Sequence, residues 1–154
     1  MSTTIDMNVL LYASNADAAE HDRATALLEH LAAGPALVVL LWPTLLGYLR
    51  LATHPAVFVA PHTAAEAEHN IEGLLALPHV RAVGETDRFW LIYRKVAGEV
   101  APRGSLVPDA HLVALMHLHG VSKIWSRDRD LRRFDGITVA DPFAKRYASG
   151  FAGR

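Results

Sequence analysis

One stretch, residues 105–134, constrains the fold of this chain more than any other. It reads SLVPDAHLVALMHLHGVSKIWSRDRDLRRF, and its apolar residues recur at helical spacing up to Gly120, a residue type that commonly ends helices. Pro108 can begin this predicted helix without losing a hydrogen bond, and Asp109 follows in the first turn, where the helix dipole favours an ionised carboxylate. A short apolar strand is predicted at 121–125, and the chain leaves it through a polar turn at 126–130. The stretch therefore predicts a helix with an acid at its start, followed by a buried strand that ends in an acidic turn.

The rest of the chain alternates between strands and helices in the same way. Further strands are predicted at 3–5, 37–41, 80–83 and 137–139, and further helices at 8–13, 17–33, 43–52, 64–77 and 86–97. The run at 37–41 is apolar throughout, which is typical of a strand covered on both faces. This alternation predicts an α/β fold with a parallel sheet of about four or five strands and helices on both faces. We expect one domain over residues 1–147 and a loose tail at 148–154.

Composition narrows the classes of protein that remain. With 154 residues, of which 51% are apolar, the chain can bury a substantial core. It contains no cysteine, which excludes disulfides and thiolate metal sites. A net charge of −1 gives no global attraction to nucleic acid, so any such binding must come from a local patch. No apolar run approaches the ~20 residues of a membrane span, and we expect a soluble cytoplasmic protein.

Three acids stand out by position. Asp6 follows the first predicted strand, Asp109 opens a helix, and Asp128 follows the fourth strand. Parallel strands place their following residues at one sheet edge, where these carboxylates would repel one another unless a cation lay among them. Oxygen ligands suit Mg²⁺ or Mn²⁺, and such an ion can activate water against a phosphodiester. The alternative interpretation is that each aspartate only caps a helix or a turn.

Four segments, taken together and in order, carry a resemblance to a known family. They are IDMNVLLYA, LWPTLLGYLRLATHP, VPDAHLVALMHLHG and SRDRDLRRF, and they resemble the PIN domain, in particular the VapC-type toxins of bacterial toxin–antitoxin systems. The resemblance implies a PIN-like fold and a Mg²⁺-dependent endoribonuclease that acts as a toxin, with Mn²⁺ as an alternative metal. It also implies a homodimer and a cognate antitoxin protein that covers the site.

The resemblance also assigns residues. Asp6, Asp109 and Asp128 would be the catalytic metal ligands, and Asp130 would either join them or shape the loop. Asn8 and Ser126 would position the acids.

The chain departs from the family pattern at one place. Most relatives carry a glutamate on the helix after the second strand, but here no acidic residue occurs between Glu29 and Glu66. Water, Asp130, Glu20 or Asp17 could take its place. The departure leaves open a catalytically weak or silent protein that keeps the fold and the antitoxin partner.

Arginines and histidines raise further alternatives. Four arginines surround the acidic turn and could contact RNA phosphates, namely Arg127, Arg129, Arg132 and Arg133. Arg50 could do so too, although a solvated polar loop explains the turn equally well. A zinc site is disfavoured because the histidines of the predicted helix are two residues apart and point to different sides. A receiver-like signalling module is disfavoured because a second acid is missing beside Asp6.

Overall fold

The computed structural model describes residues 1–152 apart from the side chain of Glu99. The strands are β1 (Thr3–Ile5), β2 (Val38–Leu41), β3 (Val80–Val83), β4 (Lys123–Trp125) and β5 (Thr138–Ala140). The α-helices are α1 (Met7–Ala13), α2 (His21–Ala32), α3 (Trp42–Ala52), α4 (Ala64–Leu75), α5 (Phe89–Val100) and α6 (Leu106–Leu118). Two 3₁₀ helices span Arg129–Arg133 and Lys145–Tyr147.

The strands form one parallel sheet in the order β3-β2-β1-β4-β5. This confirms the predicted α/β fold, and the number of strands is five. In the register of the two central strands, Ile5 pairs with Trp125, so Asp6 and Ser126 leave the sheet side by side. A receiver-like module would instead have the strand order 2-1-3-4-5. The observed order therefore excludes the signalling alternative.

Alternate residues of β2 belong to two separate hydrophobic cores. Val38 and Leu40 pack in a core that also holds residues of α1, α2, α3 and α4. Val39 and Leu41 pack in the other core, with residues of α5 and α6. The apolar run at 37–41 is thus covered on both faces, as its composition predicts.

Two helix ends lie where residues close by in the sequence indicate them. Thr63 and Glu66 form the capping box that starts α4. Gly120 has φ 68°, and the amide of Val121 behind it donates to the Met116 carbonyl at 2.8 Å, which closes α6.

Three helices start more than one residue away from the prediction, and one of them is α2, which begins at His21 rather than at 17. The Thr86 hydroxyl accepts from the Arg88 amide at 3.3 Å, so it caps a turn, and α5 begins only at Phe89. Helix α6 begins at Leu106, which puts Pro108 in its first turn, where the missing N–H costs nothing.

The end of the described chain packs on the sheet. Phe151 is buried, and its ring lies 5.5 Å from the ring of Trp125 and 5.3 Å from that of Tyr147. Residues 153–154 of the expected loose tail lie outside the described residues. Among residues 1–152, no helix has the length and apolar character that crossing a membrane requires.

Candidate active site

Asp6 lies at the carboxyl edge of the sheet, between β1 and α1. Its Oδ1 accepts a hydrogen bond from the Met7 amide at 2.7 Å, which makes Asp6 the N-cap of α1. Its Oδ2 accepts from the Ser126 hydroxyl at 2.6 Å and from Asn8 Nδ2 at 3.4 Å. Burial raises the pKa of the Asp6 carboxyl, although the hydrogen bonds from Ser126 and Met7 act against this rise, and the charge of Asp128 adds to it.

Ser126 links the two central strands at this edge. Its side chain is buried, and its Oγ, besides donating to Asp6, accepts from the Asp128 amide at 2.9 Å and from Asn8 Nδ2 at 3.4 Å. The Asn8 Oδ1 atom is buried and has no hydrogen-bond partner among the described residues. Ser126 and Asn8 thus contact the acid that they are predicted to position.

Asp109 lies in the first turn of α6, and the charges of the other acids affect its pKa. Burial raises the pKa of its carboxyl to about 6, and the negative charges of Asp128, Asp6 and Asp130 contribute to that rise in this order. The four aspartates named from the sequence therefore form one electrostatic cluster at the sheet edge.

Asp128 and Asp130 lie where the chain enters the first 3₁₀ helix. Asp128 is its N-cap, and its Oδ1 accepts from the Asp130 amide at 2.9 Å. Across residues 1–152, no three acidic or imidazole side chains lie close enough together to hold a metal ion as they stand. A single ion bound by Asp6, Asp109 and Asp128 would therefore require these carboxylates to approach one another.

No acidic side chain on α3 joins this cluster, because the helix contains none. Of the substitutes considered from the sequence, Asp130 contributes its charge to the pKa of Asp109. Glu20 is engaged elsewhere, since its Oε1 accepts from Arg127 Nη1 at 2.9 Å and this hydrogen bond lowers the pKa of the Glu20 carboxyl. Asp17 lies in the exposed turn before α2. Asp130 is thus the best placed of the three.

The arginines proposed to contact RNA lie in different surroundings. The Arg127 guanidinium, besides pairing with Glu20, lies 4.5 Å from the centre of the Phe143 ring, which fixes its position. Arg129 and Arg132 line an open cavity of about 650 Å³ on the β5 side. Arg50 is exposed in the last turn of α3. These four side chains therefore do not form one patch.

The histidines of α6 point in different directions. His111 pairs with Glu85. His117 lies 3.2 Å from the Asp135 carbonyl oxygen, whereas His119 lies 2.7 Å from that of Gly84. Their separate partners agree with the argument against a zinc site.

Comparison with known proteins identifies relatives over nearly the whole chain. A sequence model of the PIN domain matches residues 3–137. Ribonuclease VapC48 of Mycobacterium tuberculosis is 54% identical over 144 residues, which cover 94% of this chain and 99% of that protein. Ribonuclease VapC43 of the same species is 35% identical over 138 residues, covering 90% of this chain and 93% of that protein.

Solved structures share the fold at low sequence identity. The crystal structure of M. tuberculosis VapC20, described as a sarcin–ricin loop cleaving toxin, matches with a TM-score of 0.61 at 21% identity, over 84% of this chain and 92% of that one. The VapBC2 complex of Rickettsia felis, bound to a promoter DNA fragment, also gives a TM-score of 0.61, at 13% identity over 90% and 97% of the two chains. These likenesses support the arrangement of strands and helices described above.

Proposed function

The chain belongs to the PIN domain family, and we propose that it is a metal-dependent endoribonuclease that acts as the toxin of a toxin–antitoxin pair. The observation that carries the proposal is the cluster of Asp6, Asp109, Asp128 and Asp130 at the carboxyl edge of a parallel sheet. The 54% identity to a protein named a ribonuclease supports RNA as the substrate. A protein of this kind would act in the cytoplasm, where its substrate is.

The donor set at this edge fits a hard divalent cation. Asp6, Asp109 and Asp128 would hold Mg²⁺, with Mn²⁺ as an alternative. Asp130 would take the place of the fourth carboxylate that α3 lacks. When bound, the ion supplies positive charge that activates a water and stabilises negative charge on the phosphodiester. The Oδ1 atom of Asn8 is a further buried oxygen close to Asp6, without a hydrogen-bond partner among the described residues.

Neighbouring residues would orient the acids and shift their pKa values. Ser126 and Asn8 hold Asp6 Oδ2, while the Met7 amide holds Oδ1, so the Asp6 carboxylate is fixed before any ligand arrives. The like charges that raise the pKa of Asp109 would be relieved by a cation, which gives the site its preference for one. Asp6 is therefore oriented in advance, whereas Asp109 and Asp128 would have to approach it to share a cation.

Two assembly partners belong to the proposal. An antitoxin protein is supported by the solved relatives, which include the VapBC2 complex of R. felis and a toxin–antitoxin complex of Klebsiella pneumoniae. A homodimer is supported by large apolar side chains that α3 and α5 leave exposed, namely Trp42, Leu46, Trp90 and Leu91.

A second candidate function is a silent PIN-fold protein that binds an antitoxin without cleaving RNA. The absence of an acid from α3 favours it, because fewer carboxylates hold a cation less tightly. Cleavage of a single-stranded RNA, followed with Mg²⁺ and with EDTA, separates the two functions. We expect cleavage that needs Mg²⁺.

Variants make the test specific to the site. We expect Asp6→Asn and Asp109→Asn each to lower the cleavage rate by about 100-fold or more, because each removes charge from the cation site. Asp22→Asn, an exposed acid in the first turn of α2, is the matched control and should cleave like the wild type. Cleavage in EDTA, or full activity in both site variants, would contradict the mechanism, and no cleavage of any RNA would favour the silent protein.

A further inference from the structure

An open groove lies beside the acidic cluster. It has a volume of about 1070 Å³ and runs between the C-terminal half of α5, the 101–105 loop, the start of α6 and the first 3₁₀ helix. Among the described side chains, the charged residues that line it are Arg94, Arg103, Arg133 and Asp130. The described side chains that line the groove therefore carry more positive than negative charge.

The three arginines of the groove are available to bind an anion. All three are exposed, and none forms a salt bridge with another described residue, whereas Arg127 is paired with Glu20. They come from three separate elements, yet they line the same groove. Guanidinium groups bind phosphate oxygens through two parallel N–H donors, which makes a phosphodiester backbone a suitable ligand.

The groove borders the acidic cluster through Asp130. Asp130 lines it, and the same carboxylate raises the pKa of Asp109. Leu106, which also lines it, begins the helix whose first turn carries Asp109. A polyanion that approaches four aspartates is repelled, and fixed positive charges along its path offset that repulsion.

We propose that this groove, lined by Arg94, Arg103 and Arg133, binds the phosphate backbone of the RNA strand and leads it to the acids. This inference rests on the proposed ribonuclease function and names the surface that holds the substrate. Of the arginines that the sequence suggested for phosphate contacts, only Arg133 lines this groove, whereas Arg94 and Arg103 were not among them.

The test measures RNA affinity separately from chemistry. Binding of a fluorescein-labelled single-stranded RNA is followed by anisotropy in EDTA, over a series of salt concentrations, for the wild type and the triple variant R94Q/R103Q/R133Q. We expect the triple variant to bind about 100-fold more weakly, and the slope of log affinity against log salt to fall by about 0.7 for each arginine removed. Each single variant should lose about fivefold.

Matched variants control for charge and folding. R94K/R103K/R133K keeps the charges and should keep most of the salt dependence, because a lysine still displaces counterions. Arg81→Gln removes an exposed arginine of β3 outside the groove and should bind RNA like the wild type. Because the three arginines are exposed, we expect the glutamine variants to melt near the wild-type temperature. If the triple variant does not fold, the RNA affinities of the single variants test the proposal instead.

Cleavage assays separate failure of the groove from failure of the function. With Mg²⁺ we expect the triple variant to show a raised KM and a nearly unchanged kcat. If the wild type cleaves RNA while the triple variant keeps its affinity and salt slope, the groove proposal is overturned and the ribonuclease stands. If the wild type neither binds nor cleaves RNA, both are overturned.

Discussion

At the scale of single residues, the site depends on Ser126, whose exposed fraction is only 1%. One hydroxyl donates to Asp6 and accepts from the Asp128 amide, so it ties together two acids that are 122 positions apart in the chain. A buried hydrogen bond to a charged group is worth more than a neutral one. Ser126 therefore helps to hold both Asp6 and Asp128 in position.

Removing that hydroxyl gives the first prediction. Ser126→Ala leaves the Asp128 amide without its partner and takes the strongest lowering influence from the pKa of Asp6. We expect the free energy of unfolding in urea to fall by about 2 kcal/mol, and RNA cleavage to fall about tenfold. Ser122→Ala, in the exposed loop before β4, is the control and should change neither quantity. A Ser126→Ala protein as stable and active as the control would show that Asp6 is held without it.

The raised pKa of Asp109 gives a prediction on pH. Its folded-state value of about 6 lies above the ordinary 3.8, so between these pH values the folded chain binds more protons than the unfolded chain. The free energy of unfolding therefore falls as pH rises through this window and stays lower above it. In EDTA at pH 7.5 we expect Asp109→Asn to be more stable than the wild type by about 1 kcal/mol, after allowance for solvent screening.

Urea unfolding at two pH values checks this sign. Near pH 4 the wild-type carboxyl is protonated in the folded protein, so the advantage of the asparagine should largely vanish. A variant that is less stable than the wild type at pH 7.5 would contradict the electrostatic account of the cluster.

The nearness of the acids at one sheet edge could be predicted from the sequence, but the partners of the arginines could not. Asp6 and Asp128 follow strands, and the carboxyl ends of parallel strands share an edge, so position in the chain was enough. The Arg127–Glu20 pair joins residues 107 positions apart through long side chains, and no local pattern indicates it. Arg94 and Arg103 were missed for the same reason, because their groove exists only once α5, α6 and the 3₁₀ helix are in place.

At the scale of elements, helix α5 ends in a backbone conformation that is costly for its residue. Ala101 caps this helix with φ 51° and ψ 60°, the left-handed conformation, and its amide donates to the Ala97 carbonyl at 2.7 Å. A side chain makes this conformation costly, whereas glycine adopts it freely. The turn directs the chain from Arg94 on the helix to Arg103 on the same groove.

Replacing Ala101 by glycine should therefore stabilise the protein. We expect Ala101→Gly to raise the free energy of unfolding by about 0.5–1 kcal/mol, since relief of strain exceeds the added entropy of the unfolded chain. Chemical denaturation provides the measurement, and Ala97→Gly within the helix is the matched control, expected to lose about 1 kcal/mol. A destabilised Ala101→Gly protein would mean that the Cβ contributes packing that outweighs the strain.

The start of α4 and the end of α6 were predictable from residues close by in the sequence. Thr63 with Glu66 started α4, and Gly120 ended α6, because these caps depend on neighbours within a few residues. The start of α5 was misplaced because Thr86 caps a turn that precedes the helix. Sequence alone does not distinguish these two uses of a threonine hydroxyl.

At the scale of the whole molecule, two hydrophobic cores lie on opposite faces of one sheet. The class of fold followed from the apolar run at 37–41 and the alternation of elements. The strand order did not, because it is decided by which crossovers pack together, and these involve contacts across the whole chain.

The exposed apolar side chains give a prediction on assembly. Leu46 on α3 is 59% exposed, and Trp90 on α5 is 63% exposed. Each helix carries a second exposed apolar residue, Trp42 on α3 and Leu91 on α5. We expect the wild type to be a dimer by light scattering, and Leu46→Glu or Trp90→Glu to be largely monomeric, because a charge in an apolar interface is costly.

A control residue separates this from a general effect of added charge. Val59 is 98% exposed in the loop before α4, and Val59→Glu should leave the dimer intact. A monomeric wild type would remove the homodimer from the account, and a dimer in every variant would place the interface elsewhere.

The central claim is that Asp6, Asp109 and Asp128 together bind one divalent cation, and titration with Mn²⁺ followed by electron paramagnetic resonance tests it most directly. The wild type and Asp22→Asn should take up Mn²⁺ saturably, Mg²⁺ should displace it, and Asp6→Asn and Asp109→Asn should bind it at least about tenfold more weakly. Equal Mn²⁺ binding by all four proteins, or none by the wild type, would contradict the claim.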